Sequence, residues 1–154
     1  MAEIYNTGQL SQTMIRPAIQ EPMMKKVYSI VITEKLQSCA DFYTRHFGFS
    51  VVFQEEWYVH LVHETSGAEL AFMAPNSANQ PPQLHAAYQG AGMVLSIEVD
   101  NAEQEYRRLT QSQDCDIFLH IKDEPWGQRH FMLLDPAGVC IDVVEQRDSG
   151  GQAA

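Results

Sequence analysis

Apolar and polar positions follow two different periods along this chain, and the switches between them mark its elements. Val27 to Thr33 (VYSIVIT) is apolar and β-branched, which predicts a strand. Glu34 to Ser38 follows as a loop in which Ser38 is placed to cap a helix. Cys39, Phe42, Tyr43, His46 and Phe47 then recur at helical spacing, and Gly48 is placed to close that helix. Phe49 to Gln54 and Trp57 to His63 predict strands, Glu64-Thr65-Ser66-Gly67 a turn, and Glu69 to Met73 the returning strand. Residues 75–91, rich in Pro, Asn and Gln, predict a surface linker.

The pattern then starts again. Met93 to Asp100 predicts a strand, and Asn101 is placed to cap a helix from about Ala102 to Gln111. Asp116 to Lys122 is a strand. His130 to Leu134 and Val139 to Glu145 form a hairpin around Asp135-Pro136-Ala137-Gly138, where Pro presets φ and Gly accepts a positive φ. The repeated order implies two tandem βαβββ modules, 27–74 and 92–146, with a period of roughly 65–70 residues. The pair His60-Leu61 before Gly67 is echoed by His130-Phe131 before Gly138. The expected class is α+β, with two curved mixed sheets whose inner faces enclose a cup and whose outer faces carry the helices.

Strand parity assigns faces. Leu95, Ile97 and Val99 belong against a helix, which leaves Val94, Ser96 and Glu98 toward the cup. Ile141 and Val143 go to the core, and Cys140, Asp142 and Val144 to the cup. Leu70 and Phe72 pack inward, and Glu69, Ala71 and Met73 line the cup. Glu69 and Asp142 therefore occupy matching positions. They are either a ligand-facing pair or a satisfied polar pair bridging the sheets.

Composition narrows the setting. The 154 residues suit one domain, and the 45% hydrophobic content is that of a globular chain. No apolar run reaches membrane-span length, and the N-terminus carries no signal-peptide pattern. Ten Lys+Arg against twenty Asp+Glu give a charge of −10, which argues against nucleic acid as a partner. Cys39, Cys115 and Cys140 show no metal-type spacing, Cys39 and Cys140 are expected to be buried, and unpaired thiols suit the cytoplasm. Residues 1–26 predict an arm that is either disordered or packed over a groove or a second subunit. Residues 147–154 predict a flexible tail.

At this point VYSIVITEKLQSCADFYTRHFGF, followed by a repeat ending in PWGQRHFMLLDPAGVCIDVVE, resembles the vicinal-oxygen-chelate superfamily of glyoxalases, bleomycin-resistance proteins and extradiol dioxygenases. The resemblance covers about residues 27–146. It implies a homodimer and, in the enzymes, a divalent metal (Fe, Ni, Zn or Mn) held by side chains from four cup-facing strands. Carried over, those positions fall on Tyr28, Glu69, Val94 and Asp142, and both histidine positions are lost. The expectation is a small-molecule binder without the complete metal site or any other cofactor, holding an aromatic or hydrophobic ligand. The alternative is a divergent metal-dependent lyase, isomerase or dioxygenase that uses Glu69 and Asp142 with either Tyr28 or His120.

The candidate cup residues are Tyr28, Glu69, Met73, Ser96, Glu98, His120, Trp126 and Asp142. Trp126 either stacks on a ligand at the cup mouth or packs on its own hairpin. His120 is either a cup-facing acid–base group or a structural strand histidine. Arg129 either holds an anion or pairs with a neighbouring carboxylate.

Overall fold

The computed structural model describes residues 20–148. The first module runs β1 (Ser29–Ile32), α1 (Leu36–Phe47), β2 (Ser50–Glu55), β3 (Tyr58–His63) and β4 (Ala68–Met73). The second runs β5 (Val94–Glu98), α2 (Ala102–Thr110), β6 (Asp116–Glu124), β7 (Gln128–Leu134) and β8 (Cys140–Gln146). The sheets share one topology, β1-β4-β3-β2 and β5-β8-β7-β6. In each, the first strand lies parallel to the last, and the other neighbours are antiparallel. Most of the arm 1–26, and all but Arg147 and Asp148 of the tail, lie outside the described residues.

One apolar core joins the modules. Val31, Val59, Leu61, Leu70 and Phe72 project from the first sheet, and Phe131, Leu133, Ile141 and Val143 from the second. Cys39, Ala40, Phe42 and Tyr43 of α1 and Leu109 of α2 complete it. The alternation read from the sequence holds in β4, β5 and β8, because successive strand side chains point to opposite faces. Leu95 and Ile97 pack on this core, whereas Val94 is exposed.

A buried polar contact ties the two halves. The Tyr43 hydroxyl donates to Asp135 Oδ2 at 2.7 Å, linking α1 to the β7–β8 turn. Asp135 Oδ1 accepts from the backbone N–H groups of Ala137 and Val139, and Gly138 closes the turn at φ 84°. Within the linker, Pro82–Leu84 forms a 3₁₀ turn and Tyr88 N–H donates to the Ile32 carbonyl at 2.8 Å. Two local expectations need correction. Ser38 does not cap α1: the helix starts earlier, with Lys35 at its N-cap and no side-chain capping bond. Cys140, on the cup face that parity gave it, is half-buried rather than buried, while Cys39 is fully buried and its thiol is pushed up to about 12 by desolvation.

Candidate functional site

The cup face of the first sheet follows from its register. Ile30, Ala71, His60 and Phe53 form one row across β1, β4, β3 and β2. Glu69 lies one step along β4 on the same face, diagonal to His60. Glu69 Oε1 sits 2.7 Å from His60 Nε2 and accepts from Lys26 Nζ at 2.8 Å. The Tyr58 hydroxyl lies 2.9 Å from His60 Nδ1, and the Tyr28 ring stands edge-on to the imidazole at 4.6 Å. Bonding to Lys26 and then to His60 lowers the Glu69 carboxyl below its ordinary value.

The second sheet repeats the device. Glu98, Val144, His130 and Lys122 form the corresponding row, with Asp142 diagonal to His130. His130 Nδ1 lies 2.8 Å from Asp142 Oδ1, and its Nε2 lies 2.9 Å from Glu124 Oε1. Lys122 Nζ reaches Glu124 at 2.7 Å. Burial pulls the His130 imidazole toward neutrality, but bonds to Glu124 and Asp142 outweigh it and raise its pKa above 6.5. Each module thus sets a strand histidine against the carboxylate of the next strand.

The positions given by the resemblance do not fit a transition metal. They supply a phenol, two carboxylates already bonded to imidazoles, and the isopropyl group of Val94. The register also puts Ser96 rather than Val94 beside Asp142 on β5. No serine hydroxyl replaces an imidazole as a donor. Among the described residues, Glu69 and Asp142 do not meet in one cluster of potential ligands.

Of the eight candidates, Glu69, Ser96 and Glu98 come together. They line a cleft of about 340 Å³ at the seam between the modules, walled by Phe47, Phe49, Leu70, Leu95 and Ile97. Tyr28 stands over the His60–Glu69 pair. Met73 is buried on the same face, in register with Tyr58. Trp126 is 64% exposed in the β6–β7 turn, its indole N–H donating to Gln128 Oε1 at 2.8 Å. Arg129 takes the structural reading, bonding to Glu103 at 2.6 Å and pairing with Asp123.

His120 does not face the cup. Its Nδ1 lies 2.7 Å from the Tyr106 hydroxyl of α2, on the helix side. Register shifts between Ile117 and Lys122 break the simple alternation of β6, and parity counted through them fails. His60 and His130 were missed as members of the candidate site. Their echo was visible in the sequence, but their diagonal relation to the carboxylates comes from strand pairing.

Comparison with known proteins follows this geometry. Residues 26–143 match the family model of the glyoxalase/bleomycin resistance protein/dioxygenase superfamily. None of the curated proteins compared is similar enough to count as a relative. Among solved structures, a glyoxalase/bleomycin resistance protein/dioxygenase from Nocardioides is 18% identical, with 93% of each chain covered and a TM-score of 0.69. A lactoylglutathione lyase from Agrobacterium tumefaciens is 19% identical over 81% of this chain and 96% of its own, with a TM-score of 0.64. TioX from Micromonospora sp. ML1 is 18% identical over 77% of this chain and 96% of its own, with a TM-score of 0.60. At these identities the neighbours speak for the fold alone. With the family model spanning most of the chain and two βαβββ modules sharing one strand order, this protein belongs to the glyoxalase/bleomycin resistance protein/dioxygenase superfamily.

Proposed function

We propose that this protein binds an aromatic or hydrophobic small molecule carrying a basic group, and that it does so without the family's complete catalytic metal site. The seam cleft carries this reading: apolar walls from both modules meet carboxylates from both modules there. Such a lining suits a ligand with an apolar body and one cationic end. Glu98 contributes most to that selectivity, since its bonding partner is the neutral Gln146 amide, whereas Glu69 is neutralised by Lys26. Exposed Trp126 offers a stacking face. The exposed cup-face residues Ile30, Phe53 and Val94 support a homodimer as the working form. The free thiols of Cys39, Cys115 and Cys140 support a cytoplasmic setting.

The test is a calorimetric and thermal-shift screen of aromatic amines. At least one compound should bind saturably, and Glu98→Gln should weaken it about tenfold, the cost of a charge-assisted hydrogen bond. Trp126→Ala should weaken it as well while leaving the melting temperature nearly unchanged. Indifference of the protein to every compound overturns the proposal.

A second reading is a divergent metal-dependent lyase, isomerase or dioxygenase. Its support is the placing of one imidazole beside each cup carboxylate, 2.7 Å from Glu69 and 2.8 Å from Asp142. Elemental analysis separates the readings. Stoichiometric Fe, Ni, Zn or Mn that Glu69→Gln abolishes selects the second.

A further inference from the structure

A different cluster of donor groups lies on the helix side of the molecule. His46 closes the last turn of α1, and Asp114 and Cys115 immediately precede β6. One donor atom from each of the three lies within 4.8 Å of the others. Among the described residues, no other group of three or more His, Cys, Asp and Glu side chains is gathered this closely. His46 Nε2 is 3.0 Å from both carboxylate oxygens of Asp114. None of the three residues belongs to the cup faces or to the seam cleft.

We propose that His46, Asp114 and Cys115 form a site for one thiophilic divalent cation of the zinc type, which staples the first module to the second. Imidazole, carboxylate and thiolate together are a zinc donor set, and three protein ligands leave a fourth position to water. Donor atoms this close can share a single ion with little movement. The imidazole bonds the cation through Nε2 and carries its proton on Nδ1. The Cys115 thiol gives up its proton to solvent as the sulfur–metal bond forms.

Neighbouring groups already hold these donors in place. Arg45 Nη1 reaches Asp114 Oδ2 at 2.9 Å, and Arg108 Nη2 donates to the His46 carbonyl at 2.7 Å. The Ser112 hydroxyl donates to Asp114 Oδ1. Desolvation and then the Asp114 carboxylate push the Cys115 thiol upward, against the pull of Arg108 and Arg45, so the cation itself must displace the thiol proton. Arg45 is 63% exposed, so it can swing into solvent when the cation takes its place on Asp114. Asp114 is ionised at neutral pH, its carboxyl lowered to about 2 by the Ser112 hydroxyl and then by His46. His46 is nearly buried beneath this layer, packed edge-on to Phe42 at 5.0 Å, so its ring is already oriented. An ion held here would connect segments 68 residues apart in sequence, across the junction that the Tyr43–Asp135 bond also spans.

The test uses the full chain, treated with chelator and then titrated with Co²⁺ and, separately, Zn²⁺. The proposal expects a near-ultraviolet cobalt–thiolate charge-transfer band that saturates at one equivalent. It expects that band to vanish in Cys115→Ser and to require more Co²⁺ in Asp114→Asn. The double variant Glu69→Gln/Asp142→Asn should keep the band, which separates this site from any metal in the cup. Zn²⁺ should raise the melting temperature of the parent protein and leave that of Cys115→Ser unmoved. Circular dichroism checks that each variant folds. If Cys115→Ser does not fold, selective alkylation of Cys115 in the parent replaces it, with the same loss expected. No charge-transfer band, or one that survives removal of the Cys115 sulfur, overturns the proposal.

Discussion

His130 sits between two carboxylates with its side chain 6% exposed, and that single environment sets a pH dependence. Burial disfavours the imidazolium, but bonds to Glu124 and Asp142 hold it, so the folded pKa lies above the ordinary 6.5. A raised folded pKa means that the folded state binds the proton more tightly than the unfolded chain does. The resulting stability is fully present below pH 6.5 and is lost as pH rises through the folded value. The stability advantage of the parent over His130→Gln should therefore shrink from mildly acidic toward alkaline pH. Chemical denaturation across that range measures it, and the ring proton shifts of His130 report the midpoint by NMR. A midpoint at or below 6.5 contradicts the assignment. At this scale the sequence was a partial guide: it placed Glu69 and Asp142 at matching positions, but their imidazole partners needed the strand register.

At the scale of elements, the two helices start by different means. Asn101 accepts from Gln104 N–H at 2.9 Å and caps α2 as its sequence position implied. Ser38 is an exposed residue inside α1, whose N-cap is Lys35. Asn101→Ala should cost about 0.5–2 kcal/mol of stability, whereas Ser38→Ala should change it by less than about 0.5 kcal/mol. Urea unfolding of the two variants side by side checks both figures. A larger loss from Ser38→Ala would restore the capping role that the structure denies it. Gly48 closes α1 at φ 69°, in the left-handed region that glycine tolerates. Strand faces were legible wherever alternation was unbroken, as in β4, β5 and β8. They were not legible in β6, because its irregular pairing turns His120 toward Tyr106. No signal in the residues 116–124 distinguishes that irregular strand from a regular one.

For the molecule as a whole, the modules are coupled by a shared core and by the Tyr43–Asp135 bond. Asp135 is 5% exposed, and desolvation raises its carboxyl even though Tyr43 and the turn amides hold it. Tyr43→Phe removes one of these donors and leaves the buried carboxylate underbonded. It should cost about 1–3 kcal/mol, read from denaturant midpoints with an unchanged m-value. Two separated transitions in that variant would show that this bond, rather than the apolar core, couples the halves.

Taken by itself, the sequence determined the repeat, the order of strands and helices, the inward rows of Leu, Ile, Val and Phe, and the family. Those are properties of local period and of turn residues, which need no partner to be recognised. Tertiary structure decided the His60–Glu69 and His130–Asp142 pairs, the seam cleft and the gathering of His46, Asp114 and Cys115. Each of these joins residues from different strands or modules, and their meeting depends on register, strand irregularities and the packing of one module against the other.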